Sequence, residues 1–399
     1  MKVLHVIPSV GPLRGGPSAA VRAIARGLAD QGIFVDVVTT DDNASGRLAV
    51  PFGCPVIEHA VTYWFFRRQI GFYTVSWPLS RWLAAHVADY DLVHIHALFS
   101  FPATAGAFWA ARRGVPYVVR PLGVLNTWGI RNRRPLLKRI SLRFIERRIL
   151  FNASAVHFTS EQEQVEAHLS APGVRSFIVP NPVETLGDHR KSKAKIFFAR
   201  YPELAQRRVI LFLSRLDPKK GLDLLLEGFA KLRVSHPDAI LVVAGTGEDG
   251  FVARLRERAQ RLGVQRDVVW AGFLEGEARQ SALDAAEVFV LPSYSENFGI
   301  AVVEAMSSEL PVILSDQVGI HSEVTRAKAG IVIGCDAGEI ARALLAMLND
   351  SEMRFQMARN ARMLAMKFSP ETVSRRLIEA YRNLRENTAP ARRVAVSVV

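Results

Sequence analysis

The chain predicts an α/β protein of two doubly wound halves, each with its own parallel sheet, and three observations lead there. Short apolar runs of strand length alternate with longer runs of helical spacing nearly throughout, the pattern of open sheets covered by helices. A length of 399 residues exceeds the size at which one core normally stops growing. Several strand-like runs pass directly into turns that open a helix, as the carboxyl edge of such a sheet requires.

Taken in order, the first half offers strands over 3–7, 35–39, 92–96, 117–120, 155–159 and 177–179. The second offers them over 209–214, 240–244, 268–271, 288–291, 311–315 and 330–333. Most of these runs are rich in valine, isoleucine and leucine, as strands buried on both faces are. Asn181-Pro182 and the polar, basic stretch 187–195 have a connector's composition, so the boundary is placed near residue 185, with domains over 1–185 and 186–369. A last helix is expected over 370–387, where Val373, Leu377, Ile378, Tyr381 and Leu384 form an apolar stripe. Residues 388–399 lack a helical pattern and read as a frayed tail.

Apolar residues make up 49% of the chain, enough for two cores. Cys54 and Cys335 lie far apart, which argues against a disulfide framework or a thiolate metal site and suits a reducing cytoplasm. The opening Met1-Lys2-Val3-Leu4-His5-Val6-Ile7-Pro8 is too short for a signal peptide and reads as a first buried strand, so secretion is not expected. Residues 92–111 hold no Asp, Glu, Lys or Arg. His94, His96 and Pro102 interrupt them, and strand, loop and packed helix account for them better than a membrane span.

The net charge of +13 favours an acidic partner. Arg131, Arg133, Arg134, Lys138, Arg139, Arg143, Arg147 and Arg148 gather against the single acid Glu146, with Leu136, Leu137, Ile140, Phe144, Ile145 and Ile149 interleaved at helical spacing. Such a helix over 131–148 either lies on an anionic bilayer or packs its stripe on the core and solvates its arginines. The aromatic run Tyr63-Trp64-Phe65-Phe66, with Phe72, Tyr73 and Trp77 nearby, leans toward the bilayer.

Chemistry concentrates at strand ends. Glu296 and Glu304 stand eight positions apart around a turn into a helix, whose free amides at Phe298, Gly299 and Ile300 make an anion site fit for a diphosphate. An ionised carboxylate accepts two hydrogen bonds and donates none, so the pair suits a sugar-like diol on either flank. The plainer account makes Glu296 a loop residue and Glu304 a helix former. Arg215 and Lys220 follow the strand 209–214, where they either hold a diphosphate and neutralise its growing charge or form an ordinary solvated turn.

Gly245-Thr246-Gly247-Glu248-Asp249-Gly250 matches G-x-G-x-x-G formally. Glu248 and Asp249 would set negative charge beside a pyrophosphate, so a glycine loop lining a pocket is expected instead of a dinucleotide site. Gly15 and Gly16 open the first helix and either let a ligand touch main chain or make a flexible turn. His96 ends its strand where it can touch a substrate hydroxyl, whereas His94, two residues back, is expected as a core histidine. The chain has no H-E-x-x-H, no suitable Asp-x-Asp pair and no cysteine cluster, so no metal is expected.

In this order the motifs resemble the retaining GT-B glycosyltransferases of family four, the glycosyl transferases group 1. The most specific part is Ser295-Glu296-Asn297-Phe298-Gly299-Ile300, Glu304-Ala305-Met306 and Pro311-Val312-Ile313, which matches that family's E-x7-E signature. The resemblance implies two Rossmann-like domains facing across a cleft, with the last helix crossing back to the first domain. It also implies metal-independent, retaining transfer from a UDP-, GDP- or ADP-sugar to a saccharide or lipid-linked acceptor, with no cofactor, in cell-surface polysaccharide or glycoconjugate synthesis. The expected setting is the cytoplasm, peripheral on the inner face of the plasma membrane.

By position, Glu296 is implied to meet the donor sugar, Glu304 the ribose diol, and Arg215 and Lys220 the diphosphate, helped by the amides after Asn297. Phe273 and Leu274 would offer main chain to the base, and His96 would touch the transferred sugar or acceptor. Two departures stand out: Glu309, where the family commonly has glycine, and Val318-Gly319-Ile320-His321-Ser322-Glu323, where it favours paired glycines and a proline. A nucleotide-sugar epimerase or soluble oligosaccharide synthase of the same fold, and a basic nucleic-acid-binding α/β protein, stay open as alternatives.

Overall fold

The computed structural model of the protein describes residues 1–44, 46–125, 135–184 and 193–388. The chain divides into two compact units, Met1–Pro182 with Pro370–Val399, and Val183–Ser369. Arg131, Arg133, Arg134, most of the stretch 187–195 and the tail beyond 388 lie outside the described residues.

The first unit contains β1 (Lys2–Ser9), β2 (Phe34–Thr40), β3 (Asp42–Asn43), β4 (Gly46–Arg47), β5 (Pro55–Glu58), β6 (Val61–Phe66), β7 (Leu92–His96), β8 (Tyr117–Arg120), β9 (Ala155–Phe158) and β10 (Ser176–Ile178). Among the described residues, eight of them form one sheet in the order β10-β9-β8-β7-β1-β2-β6-β5, parallel except for the edge pair β5 and β6. β3 and β4 make a separate hairpin. One face of the sheet is covered by the helices Gly16–Asp30 and Pro370–Thr388, whose Val21, Ile24, Leu28, Val373, Leu377 and Tyr381 share a core with Val3 and Ile7. Leu79, Leu83, Ala103 and Ala107 pack against Leu4 and Val6 on the other face. Strand order reverses between β1 and β7, so the turns after these two strands meet at the carboxyl edge.

β5 and β6 correct the sequence reading. The aromatic run that leaned toward a bilayer is β6, and Tyr63, Phe65 and Phe66 are buried in the core. Aromatic side chains fit a pleated, half-buried surface as readily as a headgroup zone, and pairing with β2 decides between them. Phe72 and Trp77 do remain exposed.

The second unit contains β11 (Arg208–Leu213), β12 (Ala239–Ala244), β13 (Val268–Gly272), β14 (Val288–Leu291), β15 (Val312–Ser315) and β16 (Gly330–Ile333). They form a parallel sheet in the order β13-β12-β11-β14-β15-β16. Its central strands are buried along nearly their whole length, which explains their unbroken aliphatic sequences. Here the order reverses between β11 and β14, and the turns that follow those two strands become neighbours.

Candidate active site

The two turns after β11 and β14 are joined by main chain: Tyr294 N–H donates to Lys219 C=O at 2.7 Å. Their approach depends on Gly221, which has a φ of 67° and whose Cβ, if present, would run into the Pro292 carbonyl. Asp217 caps the short turn Pro218–Lys220 by accepting from Lys219 N–H. That turn carries Lys220 inward, where its ammonium donates to Glu296. The side chains of this pair are 9% and 18% exposed. Burial lowers the Lys220 ammonium to about 7, helped by the positive Lys219 and Arg215 and opposed by Asp217. The Glu296 carboxylate against it favours the charged form. Arg215 is exposed, and among the described residues it has no hydrogen bond or ion pair, so its guanidinium is open to an anion.

Glu296 is fixed through its backbone, its N–H donating to Gln317 C=O at 3.0 Å and its C=O accepting from Gly319 N–H at 2.9 Å. Beyond it, Asn297 is half-buried, and the Phe298 ring packs edge-on against Phe368. Phe298 can therefore offer a ligand only its amide. Gly299 (φ 95°) caps the helix Ile300–Ser307, whose first amides have no intrahelical acceptor. One turn on, Glu304 is paired with Arg279 of the helix Gly276–Ala285 at 2.9 Å. Burial raises the Glu304 carboxyl above the usual range, and Arg279 pulls it back.

The glycine loop after β12 is a brace. Gly245 N–H donates to Gly272 C=O at 2.7 Å, Leu216 N–H donates to Thr246 C=O at 2.8 Å, and a Cβ on Gly245 or Gly247 would meet the carbonyls of Ser214 and Leu216. Both glycines thus seat the Arg215 turn. After β13, Phe273 is exposed and Leu274 buried. The turns of Lys220 and Glu296 accordingly meet at the reversal point between β11 and β14. Arg279 was not singled out in the sequence, because nothing local marks one arginine of an ordinary helix.

Gly15, Gly16 and His96 belong to the other unit. Gly15 (φ 70°) caps the first helix, which starts at Gly16. The turn before it is braced by the β3/β4 hairpin: Leu13 N–H donates to Asn43 Oδ1 at 3.0 Å and Arg14 Nε pairs with Asp42 at 2.6 Å. His96 is fully buried, not open at the sheet edge, with Nε2 2.8 Å from His5 Nδ1. Alternation along β7 puts it on the face of His94, which the helix Pro370–Thr388 covers.

There His157 Nε2 can only donate to Val179 C=O, 2.7 Å away, so its Nδ1 accepts from His94 Nε2 at 3.3 Å. His94 Nδ1 must then accept from Tyr381 O–H at 2.6 Å. Burial holds all four histidines neutral, His5 and His157 at about 3, and the field of Arg120 adds to it. Among the described residues, His5, His94 and His96 form one group whose ligand atoms lie within 4.8 Å of one another. Both nitrogens of His94 are committed and Arg120 faces His96 across the strands, so this donor set does not suit a cation.

Comparison with known proteins bears on both units. A family model described as Glycosyl transferases group 1 matches residues 194–364, and one described as Glycosyl transferase 4-like domain matches residues 15–182. The chain belongs to the group 1 glycosyltransferases. It is similar to the D-inositol 3-phosphate glycosyltransferase of Jonesia denitrificans, with 24% identity over 96% of this chain and 96% of that protein. Of solved structures, Anabaena Alr3699/HepE in complex with UDP matches with a TM-score of 0.77 and 20% identity, over 96% of this chain and 100% of that one. The sucrose-phosphate synthase of Thermosynechococcus elongatus matches with a TM-score of 0.76 and 20% identity, over 97% and 100%. This glycosyltransferase therefore has the GT-B fold.

Proposed function

We propose that this glycosyltransferase moves a sugar from a nucleotide-sugar donor bound by residues 183–369 to a saccharide or lipid-linked saccharide, retaining anomeric configuration and needing no metal or other cofactor. One observation carries the reading: Lys220 is buried against Glu296, beside the open guanidinium of Arg215 and the amino end of the helix Ile300–Ser307. A diphosphate arriving there draws the ammonium, and Glu296 is left free to accept from two hydroxyls of the donor sugar. As the bond to the sugar breaks, negative charge grows on the diphosphate. Two cations and preoriented amides meet it, and one such donor is worth about 3–4 kcal/mol. At the far end Glu304 suits the ribose diol, with main chain of Phe273 and Leu274 near the base. The UDP complex of the Anabaena protein makes uridine nucleotides the first donors to try.

Calorimetric titration with UDP-, GDP- and ADP-sugars tests this. One of them is expected to bind wild-type protein, and Lys220→Ala to bind it at least tenfold more weakly. Failure of all three would sink the donor site. Proton NMR of the product should show the donor's anomeric configuration, and turnover should survive EDTA.

A peripheral position on the cytoplasmic face of an anionic membrane fits a lipid-linked acceptor in cell-surface glycoconjugate synthesis. Of the apolar stripe only Ile149 joins the core, while Leu136, Leu137, Ile140, Phe144 and Ile145 are exposed among Lys138, Arg139, Arg143, Arg147 and Arg148, so most of it is not spent on the core. No helix among the described residues is long and apolar enough to cross a membrane. Wild-type protein is expected to sediment with phosphatidylglycerol vesicles at low salt. Replacing Arg139, Arg143 and Arg147 by glutamate should abolish this, and unchanged sedimentation would favour a soluble acceptor.

A further inference from the structure

Glu304 is a half-buried carboxyl with one oxygen paired to Arg279, and among the described residues Arg279 is its one charged partner. Asp284, on the helix of Arg279, accepts from Gln280, which also reaches Ser308. Glu309 is paired with Arg362 of the helix Ser351–Ala365 at 3.5 Å. The neighbouring strands β14 and β15 bring valine, leucine, isoleucine, phenylalanine and one serine. Arg279, 42% exposed against 16% for Glu304, reaches in from solvent to close the pair.

We infer that Arg279 is a positioning residue of the nucleotide site, holding Glu304 ionised and aimed so that both carboxylate oxygens can accept from a ribose diol. The inference rests on the donor-site reading above. It follows from what burial does to a carboxyl: the neutral form is favoured, and a neutral carboxyl has one oxygen that donates, so it cannot take a diol's two hydrogens. The raised carboxyl of Glu304, with Arg279 as the opposing influence, agrees in direction. Each oxygen of an ionised carboxylate has two lone pairs, so Oε1 can keep the Arg279 guanidinium while both oxygens accept from the ribose diol.

The test is UDP binding by calorimetry, with GDP and ADP in parallel, from pH 5.5 to 8.5. In Arg279→Met the acid-side loss of affinity is expected to move to higher pH, so that binding weakens at the acid end of the range while it changes little at pH 8.5. Arg279→Lys should restore most of it. In a Glu304→Gln background, Arg279→Met should change affinity less than about twofold, since the two act as one unit. The alkaline limb belonging to Lys220 should stay in place. Wild-type binding together with an unshifted acid limb in Arg279→Met would overturn this inference and leave the donor site standing. No binding of any of the three nucleotides by wild-type protein would overturn both.

Discussion

Each sheet reverses its strand order once, and the two reversal points are furnished in opposite ways. In the second unit, β11 and β14 end in turns that present charged groups: Lys220, whose partner Glu296 can be exchanged for an anion, and an open Arg215. In the first unit, β1 and β7 carry His5, His94 and His96 into a buried layer, where one chain of hydrogen bonds runs from Tyr381 of the last helix through His94 and His157 to the Val179 carbonyl. A ligand whose phosphate replaces Glu296 at Lys220 and whose hydroxyls replace Lys220 at Glu296 leaves neither charge unpaired. It cannot break into the chain from Tyr381 to Val179 without stranding buried polar atoms. Polar residues at a reversal point are thus insufficient evidence of a ligand site, and their exposure and exchangeability discriminate.

The largest effect that would break this contrast is on acid stability. The four histidines are held below their unfolded value of 6.5, so the unfolded chain binds more protons. Their contribution is whole above pH 6.5 and is lost as pH falls toward their folded values, about 3 for His5 and His157. Each should cost up to about 1.4 kcal/mol per pH unit in that window. Proton uptake on unfolding, compared at pH 6 and pH 8, measures it; no extra uptake at pH 6 would mean that the layer is charged.

Next, Glu296→Gln and Lys220→Ala should each lower turnover about a hundredfold or more in protein that still folds. Near wild-type rates in either would remove the contrast from the other side. In wild-type protein kcat/KM should fall above about pH 7, as the ammonium that attracts a diphosphate is lost. In Lys220→Arg, which stays protonated, the fall should vanish.

A smaller effect is expected from Tyr381→Phe, which leaves His94 Nδ1 a buried acceptor with no donor. Urea unfolding should show a loss of about 1–3 kcal/mol, while turnover per folded molecule stays within about twofold. Lost turnover at unchanged stability would make the histidine layer a working site. Smallest is Glu309→Gly. Glu309 follows the helix Ile300–Ser307 at a φ of 55°, in the left-handed region that suits glycine, and relief of that strain should raise stability by less than about 1 kcal/mol after the loss of the Arg362 pair.

How far the site could be read from the chain follows from which interactions are local. The alternation of runs announced two parallel sheets, and Arg215, Lys220 and Glu296 just beyond strand ends marked the turns that the fold brings together. β6 was missed because a run of aromatic residues has no period that separates a strand from a membrane belt. Arg279 was missed because its partner lies 25 positions on, in another helix.

The sequence by itself determined the alternation of strands and helices that builds two parallel sheets, the two cores and the motif that places the chain in its family. These depend on periodicity and turn chemistry within a few residues. Only the tertiary structure decided that Lys220 meets Glu296, that Arg279 answers Glu304, and that His96 is sealed beside His5 instead of facing solvent. Those outcomes depend on which strand lies beside which and on which helix covers them, and burial then fixes the charge each group can hold.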